Sequence, residues 1–360
     1  MGDPGFALYS YHTWNIGDEI QSIAASRFLP RVDYYIDRDR ISRFSAPDNQ
    51  AIIKLIANGW YMQAPYGWPP RDTNIKPLLV SMFLNSEDPT LMRTMLSPES
   101  RAFFSQYGAP VGARDKATAA LLKHNGIDSY WSGCMTLTLQ RESAFPRAEF
   151  VLAVDVSDAV YEQLRAQTVR PVLRLTPAFT ADLTRAERFA LARYYLYLYQ
   201  TAHAVISTRL HAVLPCTALG TPVLLVKRAG KYQTNRYAGL EDFVRQTWEQ
   251  DFLLGRSGFD IDDPGPNPTH YLTKRDEIAE TARQYTGYDS ALHGAGCVPL
   301  AFATIGTDPA LVSAIAKAMA PVTAKRSWTV AQRRIQEMAG QPTQTLAAIK
   351  RHVVQAILMR

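Results

Sequence analysis

Cysteine is scarce in this 360-residue sequence, and its three copies lie far apart, at Cys134, Cys216 and Cys297. Their number is odd, and their spacing matches no common pattern of metal ligands. A disulfide framework and a structural zinc site are therefore not the organising features of the chain. We expect all three side chains to be buried thiols in a reducing compartment.

Long apolar runs are also missing. No segment approaches the roughly 18 uninterrupted apolar residues that a membrane-spanning helix needs. The N-terminal segment MGDPGFALYS lacks the basic start and the apolar core of a secretory signal. These features favour a soluble, cytoplasmic protein.

Charge of one sign is not concentrated anywhere. The 39 Lys and Arg residues and 33 Asp and Glu residues give a net charge of +6, spread along the chain without a long basic run. A nucleic-acid partner therefore has little support. The positive balance is compatible with anionic substrates or with peripheral contact at the inner face of the cell membrane. No cluster of carboxylates indicates a metal site, so we expect metal-independent chemistry without a cofactor.

Strand and helix patterns alternate along most of the chain, and 47% hydrophobic content is enough for a large core. The polar segment 140–148 contains Pro146 and is the predicted linker between two such series. The sequence thus predicts an α/β fold with two doubly wound, Rossmann-like domains that face a cleft. Their predicted bounds are 1–140 and 141–255, followed by a mostly helical extension at 256–360.

Residues 204–227 predict a strand, a turn, a short helix and a second strand. Their sequence is AVISTRLHAVLPCTALGTPVLLVK. Arg209 and His211 would then lie where a parallel strand ends and a helix begins, which is where ligands bind in open α/β sheets. Arg114 follows another short strand in the same way. A permanent cation, an imidazole and free helix amides suit a carboxylate or a phosphate. Alternatively, Arg209 caps the edge of the sheet and His211 packs beside it.

The first predicted strand runs into Asn15-Ile16-Gly17-Asp18 and then into a helix. A turn that contains glycine can bring backbone amides close to a ligand, and Asn15 and Asp18 add polar groups at the cleft. The alternative is that both side chains only cap the helix.

An aromatic loop is predicted at 60–70, WYMQAPYGWPP. The rings of Trp60, Tyr66 and Trp68 could stack on a sugar, or the loop could fold down as a lid on the core. We favour the sugar, because the loop falls on the carboxyl side of a strand.

Three blocks of the sequence resemble the polysaccharide pyruvyl transferases. They are Asn15-Ile16-Gly17-Asp18 with Gln21, Gly112-Ala113-Arg114-Asp115, and Ser207-Thr208-Arg209-Leu210-His211 followed by Gly220-Thr221-Pro222. The resemblance implies a GT-B-like fold with phosphoenolpyruvate as co-substrate and a pair of sugar hydroxyls as acceptor. The product would be a pyruvate ketal on a cell-surface polysaccharide or its lipid-linked precursor, with phosphate released.

The resemblance also implies roles for individual residues. In the family, the Arg-Leu-His block and an upstream arginine hold phosphoenolpyruvate, and these correspond to Arg209, Leu210, His211 and Arg114. The carboxylate and phosphate of this donor need several fixed cations, so Lys231 and Arg236 are further candidates. His211 titrates in the right range to transfer a proton during the reaction.

The chain departs from the commoner form of the family in its aromatic loop and its long helical tail, so the resemblance does not extend to the acceptor sugar. Two other functions remain open, a nucleotide-sugar glycosyltransferase and a non-catalytic glycan-binding protein of the same fold. Formation of a homo-oligomer is open as well.

Overall fold

The fold is given by a computed structural model that describes residues 3–47, 52–61, 67–107, 110–178, 181–230, 234–293 and 307–319. Its strands are β1 (Gly5–Ser10), β2 (Tyr34–Asp37), β3 (Ile53–Tyr61), β4 (Ile75–Leu84), β5 (Val111–Ala113), β6 (Ser129–Trp131), β7 (Val151–Val154), β8 (Val172–Leu175), β9 (Ala204–Ser207), β10 (Val223–Lys227) and β11 (Arg245–Trp248).

Its helices are α1 (Gly17–Ser26), α2 (Pro89–Met95), α3 (Pro98–Tyr107), α4 (Lys116–His124), α5 (Asp158–Gln167), α6 (Arg185–Thr201), α7 (Leu210–Ala218), α8 (Thr234–Tyr237), α9 (Glu249–Leu253), α10 (Leu272–Thr286), α11 (Ser290–His293) and α12 (Pro309–Met319). Short 3-10 helices lie at Arg38–Arg43, Met135–Thr138 and Glu241–Phe243.

The first sheet has six strands in the order β2-β1-β3-β4-β5-β6, and all of its pairs are parallel. Strand β1, GFALYS, is buried at every position. Such a near-continuous apolar strand is typical of a parallel sheet that is covered on both faces. Helix α1 contributes to the core on one face, while α2 and α3 contribute to the core on the other.

The second sheet has five strands in the order β11-β10-β9-β7-β8, again with all pairs parallel. Helices α6 and α7 pack on one face, and α5 and α9 pack on the other. Helix α6 begins with a capping box, in which the Thr184 hydroxyl accepts from the Glu187 amide and the Glu187 carboxylate accepts from the Thr184 amide. The predicted α/β fold with two doubly wound sheets is confirmed.

One strand boundary differs from the prediction. Strand β3 extends to Tyr61, so Trp60 lies within the first sheet and not in a loop. Aromatic residues have a high preference for strands, and β3 pairs along its length with β4. The predicted linker at 140–148 falls between the last strand of the first sheet and the first strand of the second.

One hydrophobic core runs between the two sheets. It contains Leu8 and Ile56 from the first sheet, Val154 and Val205 from the second, and the facing sides of α1, α6 and α7. The other face of each sheet has a separate core. The two halves therefore share buried apolar surface and do not meet only through polar contacts.

A buried ion pair also joins the halves. The guanidinium of Arg188 in α6 donates to both carboxylate oxygens of Glu19 in α1, with 2.9 Å from Nη2 to Oε2, and to the carbonyl of Thr13. Burial raises the pKa of Glu19 to about 7, against the opposing effect of Arg188. Nearby, the Ile16 amide donates to the Pro177 carbonyl at 2.9 Å. The loop after β1 is thus fixed against the second half.

The helical extension returns to both halves. In α10, the Tyr285 hydroxyl accepts from the Leu55 amide at 2.8 Å and donates to the Lys76 carbonyl, which links it to β3 and β4. Helix α12 packs on α6, where Lys317 pairs with Glu187 at 2.7 Å. None of the helices in the described part of the chain is long and apolar enough to cross a membrane. Residues 320–360, which include much of the predicted extension, lie outside the described residues.

Candidate functional site

The site begins where β9 ends. All four residues of β9 are buried, and after Thr208 the chain turns into α7, with Arg209 in an extended conformation at the N-cap position. His211 has φ −84° and ψ 18°, so the first turn of α7 is irregular at the imidazole. Leu210 is only 2% exposed and belongs to the shared core. Leu210 therefore anchors the turn in the shared core, with Arg209 and His211 on either side of it.

Gly17 brings the first half of the chain against His211. A Cβ at position 17 would lie 3.0 Å from the His211 Cβ and 3.1 Å from its Nδ1. Any larger residue would require the imidazole or the start of α1 to shift. The predicted glycine turn and the predicted histidine, from different halves of the molecule, are thus in direct contact.

Arg114 is a fully buried cation whose guanidinium makes no hydrogen bond to the part of the chain that the structure describes. It follows β5, and its Nε, Nη1 and Nη2 atoms have no hydrogen-bond partner within the described residues. The nearest carboxylate oxygen, Oδ2 of Asp115, is 3.7 Å from Nε, and the Phe83 ring centroid is 4.2 Å from Cζ. The other Asp115 oxygen accepts from the Thr118 amide at the start of α4. Burial lowers the pKa of Arg114, as expected for a desolvated cation.

Arg236 enters the same region from the second half. Its Cζ lies 4.5 Å from the ring centroid of Trp60 in β3, and its buried Nε lacks a hydrogen-bond partner in the described part of the structure. Burial lowers the pKa of Arg236 to about 10; Tyr237 opposes this change, and the positive charges of Arg114 and Arg209 add to it. Three arginines therefore repel one another at this place.

His211 is affected by the same charges. It is 6% exposed, and its Nε2 atom is buried and makes no hydrogen bond to the described residues. Burial, together with Arg114 and Arg236, lowers the pKa of His211 well below 6.5. The imidazole is therefore neutral at neutral pH when no anion is present.

These groups together have the properties of an anion site. Arg114, Arg236 and His211 present buried nitrogen atoms without partners, and burying a cation without compensation costs several kcal/mol. A bound carboxylate or phosphate would accept from the guanidinium groups and offset that cost. The site is built from both halves, since Arg114 follows the first sheet's β5 while Arg236 and His211 follow strands of the second.

Arg209 has a protein partner already. Its Nε donates to Oδ2 of Asp155, which follows β7, the neighbour of β9 in the sheet. Asp155 has φ +54°, an uncommon conformation for a residue with a side chain, and such strain is often found at functional sites. The Arg209 side chain is 38% exposed. Sequence reasoning missed Asp155, although an aspartate directly after an apolar strand is a recognisable signal.

The polar residues of the turn from β1 into α1 mainly stabilise that turn. The Asn15 side chain accepts from the Gly17 amide at 2.9 Å. Asp18, 5% exposed, accepts from the Thr13 hydroxyl at 2.7 Å and lies 3.7 Å from Nη1 of Arg38. Arg38 is fully buried and was not singled out from the sequence. Its positive charge, held next to Asp18, fixes the entry into α1.

The aromatic residues are placed differently from the prediction. Trp68 is 6% exposed and packs against Tyr61, Phe103 and Phe104, so it is a core residue without a free face for a sugar. Trp60 packs its ring against the Arg236 guanidinium, beside the candidate anion site. The lid-like packing that the sequence left open holds for Trp68. Tyr66 and Lys231, also predicted for the site, lie outside the described residues.

The cysteines that are described behave as expected. Cys134 and Cys216 are both buried, and burial raises the pKa of each thiol. Cys297 lies outside the described residues.

Part of the candidate site lies in a segment that matches a known family, and this part contains Arg114, Arg209 and His211. Residues 89–229 match the polysaccharide pyruvyl transferase family. The matched segment contains all three of these residues, and the resemblance read from the sequence is confirmed. Gly17, Trp60 and Arg236, which complete the site in space, lie outside it.

Other comparisons add only distant likenesses. No curated protein matches the chain in sequence. An uncharacterised protein from Klebsiella pneumoniae has 12% identity and a TM-score of 0.37 over 68% of this chain and 92% of its own. MnaA from S. aureus, solved with UDP, has 10% identity and a TM-score of 0.42 over 79% of this chain and 97% of its own. Likenesses of this strength say nothing about the activity of the present chain.

Proposed function

We propose that the protein is a pyruvyl transferase that uses phosphoenolpyruvate as donor and a pair of glycan hydroxyls as acceptor. The observation that carries this proposal is a group of buried nitrogen atoms that lack hydrogen-bond partners within the described residues, namely all three of the Arg114 guanidinium, Nε of Arg236 and Nε2 of His211. The family match at 89–229 supports the same reaction class.

Phosphoenolpyruvate has the right chemistry for these cations. Its carboxylate and its phosphate are planar or multidentate acceptors, which arginine binds in pairs of hydrogen bonds. Arg114 and Arg236 together can neutralise two negative charges, and Arg209 supplies a third cation if the donor competes with Asp155. The fixed guanidinium groups then neutralise the negative charge of phosphoenolpyruvate, and we propose that no metal or cofactor takes part.

The reaction also needs proton transfer. The methylene carbon of the donor gains one proton, the central carbon forms bonds to two acceptor oxygens, and its bond to the phosphate oxygen breaks. Of the two protons that the hydroxyls lose, one balances the methyl group and the other leaves with phosphate. We assign His211 to this transfer, because its unpartnered Nε2 lies among the donor cations.

Donor binding should raise the pKa of His211. In the free protein, the positive charges of Arg114 and Arg236 keep its pKa low. An anion bound between them cancels that effect and raises the pKa, so the imidazole gains a proton when the donor arrives. It then acts as the acid for the methylene carbon.

We propose that the acceptor is a glycan or a lipid-linked oligosaccharide of a cell-surface polysaccharide. It would bind on the side of the cleft that the N-terminal half of the chain forms. A cytoplasmic location, contact with the inner membrane and assembly into homo-oligomers remain predictions from the sequence.

The test is release of phosphate from phosphoenolpyruvate in the presence of a panel of acceptor glycans. The wild-type protein should release phosphate with at least one acceptor and form a ketal detectable by mass spectrometry. Arg114→Met should abolish this release. Arg165→Met, which changes an exposed arginine on α5, is the matched control and should act as wild type.

Two results would overturn the proposal. One is the absence of phosphate release with every acceptor, together with no effect of phosphoenolpyruvate on the melting temperature. The other is a rise in melting temperature with a nucleoside diphosphate and none with phosphoenolpyruvate, which would indicate a nucleotide-sugar glycosyltransferase.

A further inference from the structure

Trp14 is the most exposed aromatic side chain among the large hydrophobic residues that the structure describes, with 73% of its surface in contact with solvent. Single exposed apolar residues are common on protein surfaces and need no special role. Val169 and Leu292 are of this kind, at 97% and 70% exposed. Trp14 differs from them in where it lies and in how firmly its backbone is held.

Trp14 lies close along the chain to the candidate anion site. Trp14 is three residues before Gly17, and three peptide units of about 3.8 Å place the two Cα atoms within about 11 Å of each other. Gly17 is in contact with the His211 side chain. The backbone of Trp14 is therefore within about 11 Å of the glycine that contacts the proposed proton-transfer residue.

The backbone around Trp14 is fixed on both sides. Arg188 donates to the carbonyl of Thr13, and the residue after Trp14, Asn15, forms an isolated bridge with Ala178 of the second half. The indole is thus exposed from a well-anchored turn. Because the backbone is already held, ligand binding would have to order only the two side-chain torsions of the indole.

Polar groups that suit sugar hydroxyls lie at the same edge of the sheet. His12, two residues before Trp14, places its Nδ1 atom 3.2 Å from Oδ2 of Asp37, and Nε of Arg40 is 3.8 Å from the same oxygen. Asp37 ends β2, directly beside the end of β1. His12 and Arg40 have side chains 76% and 64% exposed.

We propose that Trp14, with His12, Asp37 and Arg40 beside it, forms a binding site for a pyranose ring of the acceptor glycan. The indole stacks on the apolar face of the ring, and the polar side chains hydrogen-bond to its hydroxyls. This inference rests on the proposed function for the identity of the acceptor. It differs from the aromatic acceptor site that the sequence predicted at Trp60, Tyr66 and Trp68.

The experiment compares Trp14→Ala and Trp14→Phe with Trp248→Ala, which removes another exposed indole, 44% exposed, from the edge strand β11. Phosphate release is measured at varied acceptor and varied phosphoenolpyruvate. Binding of methyl β-D-galactopyranoside, methyl β-D-glucopyranoside and methyl β-D-mannopyranoside is followed by saturation-transfer NMR on the full chain.

We expect Trp14→Ala to raise the KM for the acceptor by about tenfold, as loss of a stacked ring would. The KM for phosphoenolpyruvate should stay within about twofold, because the donor cations are untouched. Trp14→Phe should recover part of the acceptor affinity, and Trp248→Ala should match the wild type. His12→Ala should weaken acceptor binding to a smaller extent.

The outcomes separate this inference from the function on which it rests. Phosphate release with an unchanged acceptor KM in a folded Trp14→Ala variant would overturn the sugar site and leave the transferase. Glycoside binding that depends on Trp14, without any phosphate release, would overturn the transferase and keep the sugar site. Neither release nor glycoside binding in the wild type would overturn both.

Discussion

Arg188 and Arg114 are both buried, at 5% and 0% exposed, yet the protein treats them in opposite ways. Arg188 donates to both oxygens of Glu19 and to a backbone carbonyl. The three guanidinium nitrogens of Arg114 have no hydrogen-bond partner in the described part of the chain. The protein itself supplies the partners of Arg188, and we propose that a ligand supplies those of Arg114.

The difference has an energetic meaning. Transfer of a cation into a protein interior costs several kcal/mol even after relaxation, and a well-placed carboxylate returns most of that cost. Glu19 does so for Arg188. Within the described residues, the Arg114 guanidinium has Asp115 at 3.7 Å and the face of Phe83 beside it. If the site binds an anion as we propose, hydrogen bonds from Arg114 to that anion would offset the remaining cost.

The largest expected effect is therefore on activity, from Arg114→Met. Methionine fills a similar volume without charge, so two or more charge-assisted hydrogen bonds to the donor are lost. We expect kcat/KM to fall by at least about a thousandfold. The ligand-free variant should unfold near the wild-type temperature, because removing a desolvated cation stabilises the fold, whereas the buried Asp115 carboxylate loses the cation 3.7 Å away. A variant that keeps its affinity for phosphoenolpyruvate would show that Arg114 is structural, like Arg188.

The next effect is on stability, from Arg188→Met. This change strands the Glu19 carboxylate in the interior, and we expect the free energy of unfolding to fall by about 3 to 5 kcal/mol. Urea unfolding measures it. The double variant Glu19→Leu with Arg188→Met removes both charges and should recover most of the loss. If the single variant unfolds at the wild-type urea concentration, the ion pair does not hold the halves together.

His211→Ala should lower turnover by at least about a hundredfold while the affinity for phosphoenolpyruvate stays within about tenfold. A lost proton-transfer group reduces the rate at saturating donor, whereas a lost phosphate contact would appear mainly in donor affinity. Single-turnover kinetics at saturating donor distinguish the two. Normal turnover under those conditions would make His211 a binding residue only.

The pH dependence of His211 sharpens that result. Burial, with Arg114 and Arg236, lowers its pKa, so the unfolded chain takes up a proton below about pH 6.5 that the folded chain does not. Its contribution to stability is therefore lost as the pH falls below that value. Inorganic phosphate in the site should raise the pKa and reduce this loss. NMR titration of the imidazole with and without phosphate measures the shift, and an unchanged pKa would place the anion elsewhere.

The smallest effect is expected at Arg209, which shares its charge with Asp155. Arg209→Ala should weaken donor binding by about tenfold, less than the loss at Arg114, because the donor must compete with Asp155. Asp155→Asn frees the guanidinium and should leave donor affinity equal to or above that of the wild type. Weaker donor binding in Asp155→Asn would instead show that the carboxylate holds Arg209 in its working position.

The fold was predictable because its strands are buried on both faces. Runs such as β1 and β9 are apolar at almost every position, and each is followed by a polar turn and a helix. The end of β3 was not predictable in the same way, since Trp60 suits a strand and an aromatic loop equally. Pairing with β4 places Trp60 in the strand.

The site could be predicted in part. Arg114 and His211 were recognised because each follows a strand, and the carboxyl ends of parallel strands gather at one edge. The contact of Gly17 with His211 and the pairing of Arg209 with Asp155 depend on how two sheets are juxtaposed. No local pattern contains that information. Trp68 was misplaced for a related reason, because its burial depends on Phe103 and Phe104, which come much later in the chain.

The return of α10 to the first sheet limits which fragments of the chain would keep all the packing contacts of the fold. Residues 89–229, the segment that matches the family, begin after β4 and end before Arg236. Such a fragment would contain one edge of the first sheet, most of the second, and no Gly17 beside His211. It would also lack Tyr285, whose hydroxyl ties α10 to β3 and β4. The segment that matches the family is therefore smaller than the part of the chain that packs together in this fold.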